Sequence, residues 1–126
     1  MTLVLDSGGI SALANQRIQV TTLVRRGDWP PQVPAIVLTE ALTGDHRRDF
    51  HCNKLLTMCQ IRSVTEADAR TGAILRGRVP RPGSVSATDA IVAAFATTLP
   101  DAVVLTSDPR DLRALLEGTS VSVAAV

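Results

Sequence analysis

The stretch from Ser86 to Leu99, SATDAIVAAFATTL, limits the possible folds more than any other part of the chain. From Ala90 to Ala96 it is apolar almost all the way round. A helix at a protein surface keeps a polar face, so a helix without one has to be buried among other elements. Its alanines let those neighbours approach closely. The one charge is Asp89, in the first turn. A carboxylate there is either a helix-capping group or part of a site.

The rest of the chain supplies the elements that bury this helix. Thr2 to Leu5 reads as a buried strand followed by the turn Asp6-Ser7-Gly8-Gly9. Ile10 to Arg26 carries apolar residues near helical spacing, with a break around Asn15-Gln16. Gly27 to Pro31 is a loop, whose Trp29 either meets a partner or covers the edge of the core. A second strand, Val33 to Val37, turns into a helix at Leu38 to Leu42. Arg47 to Met58 is a further helix with Phe50, Leu55 and Met58 as apolar positions, and Gln60 to Val64 is a third strand. Thr65-Glu66-Ala67-Asp68 is a capping-box sequence opening a helix to about Leu75, and Gly77 to Ser84 is a loop. After the Ser86 helix come a fourth strand, Ala102 to Thr106, and a helix begun by Pro109 and ended by Gly118. Ser120 to Ala124 is a last strand. This alternation predicts a single α/β domain over residues 1–126, with a central, mostly parallel sheet between two helical layers.

Composition narrows the chemistry. Apolar residues make up 45% of the chain but aromatics only 2%, so the core is built from Leu, Val, Ile and Ala. The net charge of +1 is uninformative, but its distribution is not. Arg70, Arg76, Arg78 and Arg81 fall in a segment without an acid, and Lys54 is the sole lysine. Arg suits bidentate phosphate or carboxylate contacts; a solvated basic face explains the segment as well. Cys52 and Cys59 lie on one expected helix, ~10 Å apart along its axis, too far for a disulfide. They read as free thiols of a reducing compartment, and their spacing with His51 matches no structural zinc pattern. Leu3-Val4-Leu5 is too short for a secretory leader, and no apolar run approaches a membrane span. The expected location is cytoplasmic.

Four acids stand where an α/β sheet builds its sites, beyond the carboxyl ends of the strands. Asp6 follows the first strand, Glu40 the second and Asp108 the fourth, while Asp89 opens the buried helix. Each has an ordinary explanation. Asp6 or Ser7 can cap a helix, Glu40 suits a first turn, Ser86-x-x-Asp89 is a capping box, and Asp108 is a good N-cap. Together they share one edge of the sheet. Two like charges ~4 Å apart repel by ~4 kcal/mol at an effective dielectric near 20, so gathering four calls for a counter-charge. An oxygen-only donor set without His or Cys suits Mg²⁺ or Mn²⁺, and such an ion typically assists hydrolysis of phosphodiesters.

The segments LVLDSGGISAL, PAIVLTEAL, SATDAIVAAFA and VVLTSDPRDL, in this order and at this spacing, resemble the PIN domain, in particular the VapC ribonuclease toxins of type II toxin–antitoxin pairs. The resemblance runs from end to end, and its last two motifs are the most specific. It implies that Asp6, Glu40, Asp89 and Asp108 are the metal-binding, catalytic acids. It makes Asp111 a possible supporting acid, although a capping box with Asp108 accounts for that residue too. Thr106 or Ser107 would hydrogen-bond a water or a phosphate, and Arg70, Arg76, Arg78 and Arg81 would line the RNA path or receive a partner. It further implies Mg²⁺- or Mn²⁺-dependent RNA cleavage, a homodimer, and inhibition by a small cognate antitoxin. One departure is Gly8-Gly9, where such proteins often carry larger residues, which implies a looser loop after Asp6.

Other readings fit less well. A phosphoacceptor receiver needs paired acids after the first strand and a late lysine; Asp6 stands alone and Lys54 is misplaced. The P-loop sequence is absent. A phosphatase with a covalent aspartate wants an acid where Gly8 stands. A catalytically silent PIN scaffold that binds RNA or a protein, and a DNA-directed nuclease, remain as alternatives.

Overall fold

The computed structural model describes residues Met1–Val126. Five strands form one sheet: β1 (Thr2–Leu5), β2 (Gln32–Pro34), β3 (Gln60–Arg62), β4 (Ala102–Thr106) and β5 (Ser122–Ala125). Their order is β3-β2-β1-β4-β5, and every pair is parallel. The helices are α1 (Ser7–Ala14), α2 (Arg17–Arg25), α3 (Leu38–Ala41), α4 (Phe50–Leu56), α5 (Glu66–Arg78), α6 (Ala87–Thr97) and α7 (Pro109–Leu116). The chain runs outward from β1 to β3, then crosses back to β4 on the other side of β1. Right-handed crossovers therefore put α1, α2 and α4 in one layer and α5, α6 and α7 in the other, and the helices pack together in those groups. The three-layer architecture expected from the sequence is the one observed.

The buried helix is α6. Ala90, Val92, Ala93, Ala94, Phe95 and Ala96 are all buried, with α5 and α7 as its main helical neighbours and β4 beneath. Val4, Leu5, Val33 and Val104 from the sheet and Ile10 and Leu13 from α1 complete one continuous core. Burying each Val or Leu of this kind contributes about 1.5–3 kcal/mol. Trp29 lies half-buried against the core edge, and both cysteines are free. No helix is long and apolar enough to cross a membrane.

Several boundaries differ from expectation. The second strand stops at Pro34, and Ala35–Val37 coils into a 3₁₀ turn leading directly into α3. The third strand ends at Arg62, not Val64. The helix expected over Arg47–Met58 is only Phe50–Leu56, because a turn held by Asp49 precedes it. Leu55 alone is buried there, while Phe50 and Met58 are 58% and 42% exposed. Helix α5 continues past Leu75 to Arg78, so Arg78 stands on a helix rather than in the loop expected from Gly77. The last strand begins at Ser122.

Candidate active site at the switch point of the sheet

The strand order reverses between β1 and β4, and at such a point the loops leaving the two strands diverge and open a crevice. Asp6 is the first residue after β1. Its Oδ1 accepts the Gly9 N–H at 2.7 Å, capping α1, and its Oδ2 accepts the Thr106 hydroxyl at 2.5 Å. Thr106 is the last residue of β4 and is itself buried. Its Oγ1 also accepts the Asp108 N–H at 3.1 Å. One hydroxyl thus ties the end of β4 to the carboxylate after β1. The sequence leaves a water or phosphate to Thr106 or Ser107; in the structure the Thr106 hydroxyl donates to Asp6.

The other acids reach this edge from three elements. Glu40, on α3, is exposed and accepts the Ser7 hydroxyl at 3.3 Å. Asp89 sits half-buried in the first turn of α6. Ser86 Oγ accepts the Asp89 N–H at 3.0 Å, but the reciprocal bond from the Ser86 N–H is not made. Only half of the expected capping box forms, which leaves the Asp89 carboxylate turned to the site. In α5, by contrast, Thr65 and Asp68 close the full box.

Electrostatics shows which acids bear on one another. Burial pushes Asp6 above the usual 3.8, its Thr106 and Gly9 hydrogen bonds oppose this, and Glu40 adds to the rise. Asp89 is likewise raised, first by burial, with Ser86 opposing and the negative charges of Asp6, Glu40 and Asp111 adding. The α7 acid that bears on Asp89 is therefore Asp111, a residue left between two readings by the sequence. Asp108 occupies the N-cap position of α7 without a side-chain cap bond, so the capping box invoked for Asp108 and Asp111 does not form. None of the ion pairs in the structure involves an acid of this edge.

The spacing is open, and no group of three or more His, Cys, Asp or Glu residues converges closely enough to chelate a metal ion. The donor set nonetheless suits a hard cation. It is oxygen only, it lacks a counter-ion, and Mg²⁺ usually binds through one or two carboxylates and retains several waters.

The glycines after Asp6 do the opposite of loosening the loop. A Cβ on Gly9 would lie 2.4 Å from the backbone oxygen of Leu105, and one on Gly8 would lie 2.1 Å from Ser107 Oγ. Both belong to α1, and their absence of side chain brings α1 hard against the end of β4.

The four arginines divide. Arg76 donates to the Val85 carbonyl at 2.9 Å, bracing the segment that enters α6. Arg70 pairs with Glu66 at 2.7 Å on the exposed face of α5. Arg78 and Arg81 are exposed and outside any ion pair. The sequence reading also missed Asp49, whose buried carboxylate organises the loop after α3.

No family model matches this sequence, and no curated protein matches it significantly. Solved structures do match its fold. A DNA-bound VapBC from Salmonella typhimurium superposes with a TM-score of 0.75 at 14% identity, over 99% of this chain and 98% of that one. VapBC2 from Rickettsia felis, bound to a DNA fragment from its promoter, gives 0.74 at 13% identity over 100% and 99%. The fold is that of a PIN domain. A toxin–antitoxin complex from Klebsiella pneumoniae matches at 0.67 and 17% identity, over 95% of each chain. In the PIN fold of this chain, Asp6, Glu40, Asp89 and Asp111 occupy the carboxyl edge of the parallel sheet.

Proposed function

We propose that this chain is a metal-dependent endoribonuclease and the toxin of a toxin–antitoxin pair. The observation that carries the reading is the group Asp6, Glu40, Asp89 and Asp111 at the switch point: burial first, and then the charges of neighbouring acids, raise Asp6 and Asp89 above the usual carboxylate value, and no ion pair engages any of the four. Asp6 and Asp89, with Glu40, Asp111 and Asp108 around them, would hold Mg²⁺ or Mn²⁺. When bound, the cation supplies positive charge to a phosphate and lowers the pKa of water beside it. Thr106 and Gly9 fix Asp6 in one rotamer through both carboxylate oxygens. Ser7 steadies Glu40, and Ser86 anchors the turn carrying Asp89. Arg78 and Arg81 supply exposed cations for an RNA backbone.

A partner surface lies apart from the acids. A cavity of about 770 Å³ runs between α2 and α4, lined by residues from Leu13 to Thr21 and by His51, Lys54, Leu55 and Met58. Helix α2 has no buried residue, and Ile18 on it is 84% exposed. Exposed apolar surface of this kind marks an interaction site, and it supports a cognate antitoxin as partner, with a homodimer as the assembly that the family likeness suggests.

The test is a cleavage assay on RNA with and without Mn²⁺. Metal-dependent cleavage giving 5′-phosphate and 3′-hydroxyl ends is expected, because no His pair is present at the site to drive attack by the 2′-hydroxyl. Products with 2′,3′-cyclic phosphate, or cleavage unaffected by chelator, would overturn the mechanism. A protein that binds RNA but neither Mn²⁺ nor Mg²⁺ would be a silent scaffold, and preferential cleavage of DNA would reassign the substrate.

A further inference from the structure

Glycine is usually placed where the backbone needs a positive φ. Here that holds for Gly27, Gly44 and Gly118, and not for Gly8 or Gly9. These two sit in ordinary helical backbone at the start of α1, so what they provide is space. Gly9 faces a backbone carbonyl, Leu105 O, which cannot rotate away from a Cβ placed 2.4 Å from it. Gly8 faces a side chain. Its Cβ would fall 2.1 Å from Ser107 Oγ and 3.1 Å from both Ser107 Cβ and Ser107 N. The hydroxyl can swing aside, but the Cβ and backbone behind it must yield by a few tenths of an ångström. Ser107 lies between Thr106, which holds Asp6, and Asp108, whose N–H returns to Thr106.

We propose that Gly8 is a positioning residue, and that its contact with Ser107 sets the reach between Asp6 on one side of the crevice and the acids that open α7 on the other. The contact lies between the β1–α1 and β4–α7 connections, so its thickness controls how far apart the two sets of carboxylates stand. Gly9 carries the packing of α1 on β4; Gly8 carries the gauge of the site. A divalent ion held by both sides is sensitive to this gauge, since metal–ligand distances are set to within about ±0.2 Å and Mg²⁺ demands near-ideal geometry. The proposal rests on the metal-binding reading given above.

The experiment uses Gly8→Ala, Ser107→Gly, the double variant of these two and, for melting, Gly9→Ala, each compared with wild type in three measurements: thermal melting without metal, Mn²⁺ affinity by calorimetry, and hydrogen exchange of the Asp108 amide. Gly8→Ala is expected to melt close to wild type, to bind Mn²⁺ about 10-fold more weakly, and to exchange the Asp108 amide faster. Ser107→Gly removes both side-chain atoms that the new methyl would strike and leaves only the Ser107 N contact at 3.1 Å, so the double variant is expected to recover most of the affinity and protection. Loss without recovery in the double variant would overturn the proposal, as would unchanged affinity and exchange in Gly8→Ala. A Gly8→Ala protein that melts as low as Gly9→Ala would also overturn it, because Gly8 would then be a packing residue like Gly9. If wild type fails to bind Mn²⁺, the metal reading falls, and the exchange measurement still decides whether the Gly8–Ser107 contact holds the crevice.

Discussion

Asp6 and Asp49 are both nearly sealed from solvent, at 8% and 4% exposure, yet their surroundings drive them in opposite directions. Asp49 collects the Thr43 N–H, the Thr43 hydroxyl and the Gly44 N–H at 2.8 to 3.0 Å. These donors, with His46 nearby, hold its pKa below the usual 3.8. Asp6 also accepts two hydrogen bonds, but they do not offset the cost of taking its charge out of water, and with the Glu40 charge adding to this it stands above 3.8. A structural carboxylate is surrounded by donors that match its lone pairs; a carboxylate kept for a ligand faces other carboxylates. Burial alone does not separate the two kinds, and the direction of the pKa shift does.

The largest expected effect tests that separation by removing charge. Asp6→Asn or Asp89→Asn should lower RNA cleavage by on the order of 10²–10³-fold, while Asp49→Asn should leave the rate constant of the folded protein nearly unchanged. Melting should show the reverse. Metal-free Asp89→Asn is expected to melt at or above wild type, because it relieves repulsion from Asp6, Glu40 and Asp111; Asp49→Asn should melt several degrees lower. Equal loss of activity in all three variants would erase the distinction.

A smaller effect lies in the pH dependence of stability. Asp49 has a folded pKa below 3.8, so its contribution is present above 3.8 and is lost as pH falls through the folded value. Asp6 and Asp89 have folded values above 3.8, so metal-free stability falls as pH rises from 3.8 through those values. Relative to wild type, Asp89→Asn should therefore gain stability as pH rises through that upper window, and Asp49→Asn should lose it as pH rises through the window below 3.8. Denaturant melts at a series of pH values would show two difference curves of opposite sign, and saturating Mn²⁺ should flatten the Asp89→Asn curve.

Much of the strand–helix alternation was legible because short apolar runs, Pro at a helix start and Gly at a helix end carry local physical meaning. The acids at the strand ends were legible for the same reason, since a parallel sheet leaves few places for them to go. Three features were not. Gly77 reads as a breaker, costing roughly 1 kcal/mol in a helix, yet α5 continues through it to Arg78 because the helix is packed against α6. Asp108 and Asp111 both fit a capping pattern, and only the folded chain shows that it is the Asp111 charge that bears on Asp89. Asp49 lies in a polar stretch without periodicity, and its role depends on the chain folding back over six residues to Thr43. Gly44, with a φ of 87°, was the one local sign of that turn.

The smallest expected effect concerns the basic segment, where two arginines are engaged within the fold and two are not. Replacing Arg78 and Arg81 together with Ala should reduce the salt dependence of RNA binding by about 1.4 in the slope of log K against log salt, if each meets one phosphate of a single strand. Arg76→Ala should change that slope little and instead lower the melting temperature, because it unties Val85 ahead of α6. Filter binding of an Asp89→Asn background across salt concentrations would measure both. Equal slopes in all variants would assign Arg78 and Arg81 to an ordinary solvated face.

The bond from Thr106 to Asp6 joins residues 100 positions apart. A ribosome adds about 5–20 residues per second, so Asp6 waits roughly 5–20 s for the residue that will hold it. During that interval β1 has β2 as a neighbour on one side, and its other edge stays open until β4 is made. Asp111, the last acid to join Asp89, is made later still. For a chain with the activity proposed above, this order of synthesis acts as a timer. The two halves of the crevice exist at different moments, and a nuclease assembled this way stays silent while its early strands are being made.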